Sequence, residues 1–473
     1  MSEQFKEQGG ASTMDPGPFK RWLVSQVMTR SFSPERVAKR RAAAERQRQR
    51  EQAPHRVEYF HQLDDGYSHL AAQVLPQLSA RYDIELVCHL VEPPRGNNVP
   101  EPEMLQQLSR FDAQHIAAEY GLQFPGDAQA PDPALVQQAA AVLAAQPAAG
   151  FVACAADVGQ ALWTGDKAAL DALAAEHGRA DEAQLAACIA AGTERRKALK
   201  HYSGAMFYYA GEWYWGVDRL YHLEQRLAAL GADRQSGHPP QDQPGHPSQQ
   251  SEQSGHTLIA PRPALDAKQC RDDGSLTLEV FASLRSPYTA IVFDRAVALA
   301  RDTGVTLAVR PVLPMVMRGA PVTREKGMYI FMDTAREALA AGVPYGNFYD
   351  PIGEPVRRCY SLYPWAVEQG RGVELLSSFL RHAFAEGVNT NTTKGLRKVV
   401  EAAGLDWAEA QQHLGDPAWE PMLEANRLAM YGAGLWGVPS FRLLDETGEP
   451  VLALWGQDRL WRIAREIQRL RPA

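Results

Sequence analysis

Ser286, followed by Pro287, Tyr288 and Thr289, is the side chain best placed to do chemistry in this 473-residue sequence. A proline suits the first turn of a helix, because its missing N–H would have no partner there anyway. Ser286 then stands just ahead of a helix start, where free backbone N–H groups and the positive end of the helix dipole favour an anion. A hydroxyl in that place donates a hydrogen bond to a thiolate and stabilises the charged form. A free thiol, with a pKa of about 8.5, is mostly protonated at neutral pH, so such donors raise the reactive fraction of a thiol held there. The same serine also serves as a plain helix N-cap. Neither position 286 nor position 289 is a cysteine, which excludes dithiol exchange by the site's own thiols.

The elements that must position Ser286 follow from the apolar pattern. Leu276, Leu278, Val280 and Ala282 alternate at strand spacing, and Ala290, Val292, Phe293, Ala296, Val297 and Ala300 recur at helical spacing. Far downstream, residues 435–460 read as strand, turn, strand and helix. They carry Gly437-Val438-Pro439-Ser440-Phe441 and Trp455-Gly456-Gln457-Asp458-Arg459-Leu460. A strand–helix opening, a long helical middle, a Val-Pro-led hairpin and a closing helix, with these motifs in this order, resemble the thioredoxin-like fold with a helical insertion. Within it the chain resembles DsbA-like proteins of the 2-hydroxychromene-2-carboxylate isomerase and kappa-class glutathione transferase group.

That resemblance implies glutathione, or another small thiol, as the cofactor, with Ser286 stabilising the bound thiolate. It assigns Pro287 and Tyr288 to the thiol site. It assigns Val438, ahead of an expected cis Pro439, to backbone pairing with the cysteinyl part of the tripeptide, since a cis X-Pro bond exposes the preceding N–H and C=O. Gln457 and Asp458 would meet the γ-glutamyl amine and carboxylate, although Asp458 also reads as a helix cap. Isomerase-like members usually carry a lysine in the loop after the second strand; here residues 314–321 hold Arg318 instead. An arginine can grip a substrate carboxylate bidentately, but it does not replace a lysine. Arg318, Tyr329 and Arg459 make up the candidate substrate pocket, with Arg459 alternatively a surface ion-pair residue. Tyr329, Tyr345, Tyr349 and Tyr360 are candidates to line an aromatic pocket over the site, with core packing against a hydroxyl partner the commoner role for any one of them. Asn389, Thr390 and Asn391 precede a helix over 394–403 and read as its cap.

A second copy of the pattern lies upstream. Aligning Phe60 with Phe281 sets Asp65 against Ser286, Gly66 against Pro287 and Tyr67 against Tyr288. Residues 204–207 then match 438–441, and Trp215-Gly-Val-Asp-Arg-Leu220 matches 455–460. The chain therefore reads as α/β, with two tandem thioredoxin-like domains, each carrying a helical insertion over roughly 102–196 and 323–430. In the first copy Asp65 replaces the serine and Ala205 the proline. A carboxylate there caps a helix well but repels a thiolate, so the first copy reads as degenerate, either structural or a docking partner.

A hydrophobic content of 45% supports cores for two or three domains. The formal charge of −7 gives no reason to expect nucleic-acid binding by the whole chain. The five cysteines, 88, 154, 188, 270 and 359, are scattered with no C-x-x-C, which argues against a redox or zinc role; no metal site is expected. The expected organisation is a disordered stretch over 1–19, a basic helical arm over 20–56, a degenerate domain over 57–232, a flexible linker over 233–263 and the better preserved domain over 264–473. The linker repeats Gly, His, Pro, Ser and Gln, and its His238, His246 and His256 read as tether rather than metal site. In the arm, Trp22, Leu23, Val27 and Met28 form a candidate apolar stripe on a short helix, and a solvated helix that packs this face on the body of the protein is the commoner outcome. The arm's basic residues offer a surface for an anionic membrane or nucleic-acid partner. The N-terminus lacks an apolar signal region, and no run approaches the roughly 20 apolar residues of a spanning helix, so a cytoplasmic location is expected.

Two readings of function follow. In one, the protein is a glutathione-dependent isomerase or transferase acting on a small electrophilic, aromatic or unsaturated compound, as a monomer or homo-oligomer. In the other, it is a non-catalytic thioredoxin-fold scaffold that recruits an anionic partner through the basic arm.

Overall fold

The computed structural model describes residues 15–127, 129–235, 257–267 and 271–472. The expectations for residues 1–14, for the three linker histidines and for Cys270 lie outside them. The described chain separates into two compact units, one over 38–263, the other from 264 onward together with the residues up to 37. The arm expected over 20–56 is thus two helices, α1 (Pro18–Ser31) and α2 (Pro34–Glu51), and its last two residues already belong to a strand.

In the unit over 38–263, β1 (His55–His61), α3 (Gly66–Arg81) and β2 (Ile84–Leu90) form a parallel strand–helix–strand crossover. Helices α4 (Pro102–Ile116), α5 (Pro133–Ala144), α6 (Ala148–Trp163), α7 (Lys167–His177) and α8 (Glu182–Ala198) follow. Asp132, Asp166 and Asp181 cap α5, α7 and α8 by accepting a first-turn backbone N–H, each worth about 1 kcal/mol. A hairpin of β3 (Met206–Tyr209) and β4 (Glu212–Trp215) leads into α9 (Leu220–Ala229), and the sheet runs β2-β1-β3-β4.

The second unit repeats this order. Its parts are β5 (Thr277–Ala282), α10 (Pro287–Thr303) and β6 (Thr306–Pro311), then α11 (Arg324–Ala341), α12 (Glu354–Glu368), α13 (Gly372–Phe384), α14 (Thr393–Ala402), α15 (Trp407–Ala410) and α16 (Trp419–Gly432). The hairpin β7 (Ser440–Leu444) and β8 (Pro450–Trp455) and the helix α17 (Leu460–Leu470) close it, with sheet order β6-β5-β7-β8. Leu276, Leu278, Val280 and Ala282 pack on one sheet face against Val292, Phe293 and Ala296 of α10, Phe379 of α13 and Ile463 of α17. Each buried Leu, Val or Phe there contributes roughly 1.5–3 kcal/mol.

Each central strand also buries one glutamate held by basic side chains of its neighbours. Glu58 on β1 accepts from Arg195 at 2.6 and 2.8 Å and meets His89 on β2 at 3.0 Å. Glu279 on β5 is held by Arg310 of β6 and Arg442 of β7. A buried carboxylate is tolerated only when paired in this way.

Two expectations are corrected. The segment 233–263 is not free at its ends: Asp233 pairs with Arg81 at 2.8 Å, Thr257 O accepts from Arg81, and the backbone N–H groups of Ile259 and Ala260 donate to Glu224. The apolar stripe of α1 does not pack inward either. Met28 touches the core, but Trp22, Leu23 and Val27 face solvent, and the polar side of the helix is docked. Arg21, 2% exposed, donates to the carbonyls of Asp350 and Ile352 and pairs with Asp15; Ser25 accepts from Asp350 N, and Thr29 accepts from Phe348 N. Unpaired carbonyls in 348–352 need donors more than the core needs another apolar face.

Candidate functional site

Ser286 sits in the loop between β5 and α10, fixed from three sides. Leu284 N donates to the hydroxyl of Tyr360, which donates in turn to Val312 O; Arg285 pairs with Asp350 at 3.0 Å; and Ser286 N donates to Ser283 O. Ser286 is the N-cap of α10, its Oγ accepting from Thr289 N at 3.1 Å, with Pro287 in the first turn. The same hydroxyl points at Val438 O, 3.4 Å away, across a cis Val438–Pro439 bond. That contact is long against the usual 2.7–2.8 Å for O–H···O, so the hydroxyl proton is weakly committed. Ser286, Pro287, Tyr288 and Val438 are half-buried and Pro439 is buried. Thr289 Oγ1 is buried with no hydrogen-bond partner among the described residues.

The loop carrying Val438 is itself clamped. Trp436 and Trp455 lie 5.5 Å apart, and a Cβ at Gly437 would stand 2.6 Å from Trp455 Nε1, so only glycine fits. Lys326, from the first turn of α11, sits 5.4 Å from the Trp436 ring, and burial pushes its ammonium down to about 8.

α11 gathers the remaining polar residues. Tyr288 donates to Asp333 at 2.7 Å, Asp333 is paired with Arg336 at 2.6 Å, and Gln457 Nε2 donates to Glu337 at 3.1 Å. Lys326, Tyr329, Asp333 and Glu337 are all buried and three or four residues apart, on one helix face. Sequence reasoning missed Lys326, Asp333 and Glu337. The signal was available: a helix whose inward stripe holds titratable side chains where apolar ones are the rule.

The other expected residues divide. Gln457, 2% exposed, is tied to Glu337 while its Oε1 has no hydrogen-bond partner among the described residues. Asp458 stays partly open beside Gly456 in a short 3-10 turn ahead of α17. Arg459 does pair with Asp458, at 3.6 Å, but it is 3% exposed rather than a surface residue, and it also donates to Asp458 O at 3.3 Å. Arg318 spends its Nε on Leu313 O of its own loop, and Tyr329 is buried on α11. Of the other tyrosines, Tyr360 is a core residue. The cap of α14 is Thr392, accepting from Gly395 N, rather than residues 389–391; Asn389 accepts from the N–H groups of Asn391 and Thr392 ahead of it.

The corresponding place in the unit over 38–263 is built differently. Asp65 caps α3, accepting from Ser68 N at 3.0 Å and Ser68 Oγ at 2.8 Å, and burial pushes its carboxyl up to about 6 despite those bonds. Tyr67 donates to Asp112 at 2.8 Å, as Tyr288 does to Asp333. The loop opposite has Ala205 at φ 55° in a trans chain, and a Cβ at Gly204 would strike Gln62 at 2.6 Å.

The described thiols are free and none stands at the start of α10. Burial raises Cys88 to about 12 and Cys154 to about 11, and it raises Cys188 and Cys359 as well. No described helix is long and apolar enough to cross a membrane.

No curated protein sequence matches the chain. Among solved structures, a 2-hydroxychromene-2-carboxylate isomerase aligns over 41% of this chain and 95% of its own, at 20% identity and a TM-score of 0.35. A probable DsbA oxidoreductase from Streptomyces coelicolor aligns over 42% and 92%, at 21% identity and a TM-score of 0.33. The cytosolic disulfide reductase DsbM from Pseudomonas aeruginosa aligns over 41% and 99%, at 21% identity and a TM-score of 0.27. Residues 277–468 match the family model of the DSBA-like thioredoxin domain, over the β5–α17 order described above. This part of the chain is a DSBA-like thioredoxin domain.

Proposed function

We propose that the C-terminal unit binds a small thiol, glutathione in the first instance, and uses it in an isomerase or transferase reaction on an electrophilic small molecule. The observation that carries this reading is the Ser286 hydroxyl: it caps α10, and among the described residues its proton has only a long contact, to Val438 O. The residues present fit such a ligand. Val438 offers half-buried main chain beside the helix start, Gln457 Oε1 lacks a hydrogen-bond partner among the described residues, and the Asp458 carboxylate, paired with Arg459 at 3.6 Å and 22% exposed, can also accept from an amine. When bound, the thiol would supply the nucleophile that the chain lacks at this place. Ser286 would donate to the sulfur, the α10 N-terminus would favour its charge, and Lys326, titrating near 8, would sit at the rim of the same loop.

In this reading the two units are a repeat of which only the second has kept a site. Identical strand orders, the paired Glu58 and Glu279, and the matching Tyr67–Asp112 and Tyr288–Asp333 bonds support it. An Asp65 carboxylate, ionised above about pH 6, would repel a thiolate, which favours a structural or docking role for the first unit. A thermal-shift series with glutathione, cysteine and coenzyme A tests the proposal, because a ligand that binds only the folded state must raise the melting temperature. A rise with one thiol, smaller with its S-methyl derivative, is expected; no rise with any thiol at millimolar concentration defeats it.

A further inference from the structure

We propose that α1 is a surface anchor that seats the protein on a bilayer rich in anionic lipid. Five of the eleven exposed large apolar side chains among the described residues lie on this one helix: Phe19, Trp22, Leu23, Val24 and Val27. Isolated exposed apolar residues are ordinary, but five on a 14-residue helix form a patch of the kind that marks an interaction surface. Phe19, Leu23 and Val27 recur every fourth residue and make a single stripe. Arg21, Ser25 and Thr29 recur in the same way on the opposite side and are fastened to the backbone of 348–352. The fastening fixes which side faces outward, so the apolar stripe is presented rather than left over.

The charge around the stripe selects the partner. No aspartate or glutamate occurs between Asp15 and Glu35, while Lys20 and Arg30 are exposed on the outward side of α1 and Arg36 follows it. Lys20 and Arg30 share that outward side with the apolar residues, and an exposed apolar surface bearing basic groups suits an anionic bilayer. A nucleic acid would use the basic groups but has no use for Leu23 and Val27. A second copy of this chain would bury the stripe yet leaves the basic rim unexplained.

Co-sedimentation of the full chain with vesicles of phosphatidylcholine alone, or mixed with phosphatidylglycerol, tests the proposal. Binding to the mixed vesicles is expected, with at least a roughly tenfold loss in a Phe19→Ser, Leu23→Gln, Val27→Gln variant. A Lys20→Glu, Arg30→Glu variant should lose the preference for phosphatidylglycerol. All five positions are exposed, and an unchanged melting temperature confirms that the variants fold. The proposal is overturned if the wild-type chain ignores the mixed vesicles, or if the triple variant binds them as well as the wild type does. It is overturned too if the triple change only converts a dimer to a monomer in sedimentation equilibrium.

Discussion

Replacing Lys326 by methionine should stabilise the C-terminal unit at neutral pH, a result that ordinary reasoning about losing a charged residue would not anticipate. Lys326 is 9% exposed, and burial lowers its pKa from 10.5 to about 8. At 1.36 kcal/mol per unit, keeping the ammonium charged in the fold costs about 3 kcal/mol. The Trp436 ring 5.4 Å away returns about 1 kcal/mol through its face, so the net gain from Lys326→Met is about 2 kcal/mol. The sign with pH follows from linkage. Between pH 8 and 10.5 the unfolded chain binds the proton and the folded chain does not, so the wild-type unit gains stability as pH rises through this window. The advantage of the variant is therefore full below pH 8 and fades by about pH 10.5. Urea denaturation, read by amide exchange in α10 and α13 so that only this unit is followed, measures both terms. A variant less stable at pH 7, or an advantage that does not change with pH, refutes the argument. A side chain retained against its own stability is the kind that function holds in place.

Glu58→Gln should destabilise the unit over 38–263 by about 3 kcal/mol at neutral pH. Burial alone would raise this carboxyl, but hydrogen bonds from Arg195 and His89 more than offset that and hold it at about 2. The stabilisation is present above pH 4.5 and lost as pH falls through 2, so denaturation curves of the two proteins should converge in acid. Arg21→Met should free the carbonyls of Asp350 and Ile352 and lower stability by about 2 kcal/mol. Hydrogen exchange should then show α1 unprotected and β5–β8 unchanged; an α1 that stays protected would mean that Arg21 is not its clamp.

How much of this was legible in the sequence depended on whether a feature is local. The Ser286 cap, β5 and α10 follow from a period-two run, a proline at a helix start and a 3.6-residue repeat, all within 25 residues. The last hairpin was readable from its own residues, but the role of Val438–Pro439 beside Ser286 was reached only through resemblance, because nothing in the spacing says that residue 438 meets residue 286. Lys326, Asp333 and Glu337 escaped for a related reason. Their partners Trp436, Tyr288 and Gln457 are 45 or more residues away, and a charged residue on a helix defaults to solvent. The α1 stripe was misjudged because apolar periodicity says which side is apolar, whereas the docked side was decided by carbonyls more than 300 residues downstream. The cap of α14 moved from Asn389–Asn391 to Thr392 within the few residues over which cap chemistry is interchangeable.

The central claim is that Ser286 holds and activates a thiol brought from outside. It is tested most directly by titrating the ultraviolet thiolate absorbance of glutathione bound to the wild type and to Ser286→Ala. The account predicts that the thiol bound to the wild type ionises at least about one unit below its free value of about 8.5, and that Ser286→Ala returns most of that shift while still binding. Identical titrations in the two proteins, or a folded wild type that binds no glutathione at millimolar concentration, would contradict it.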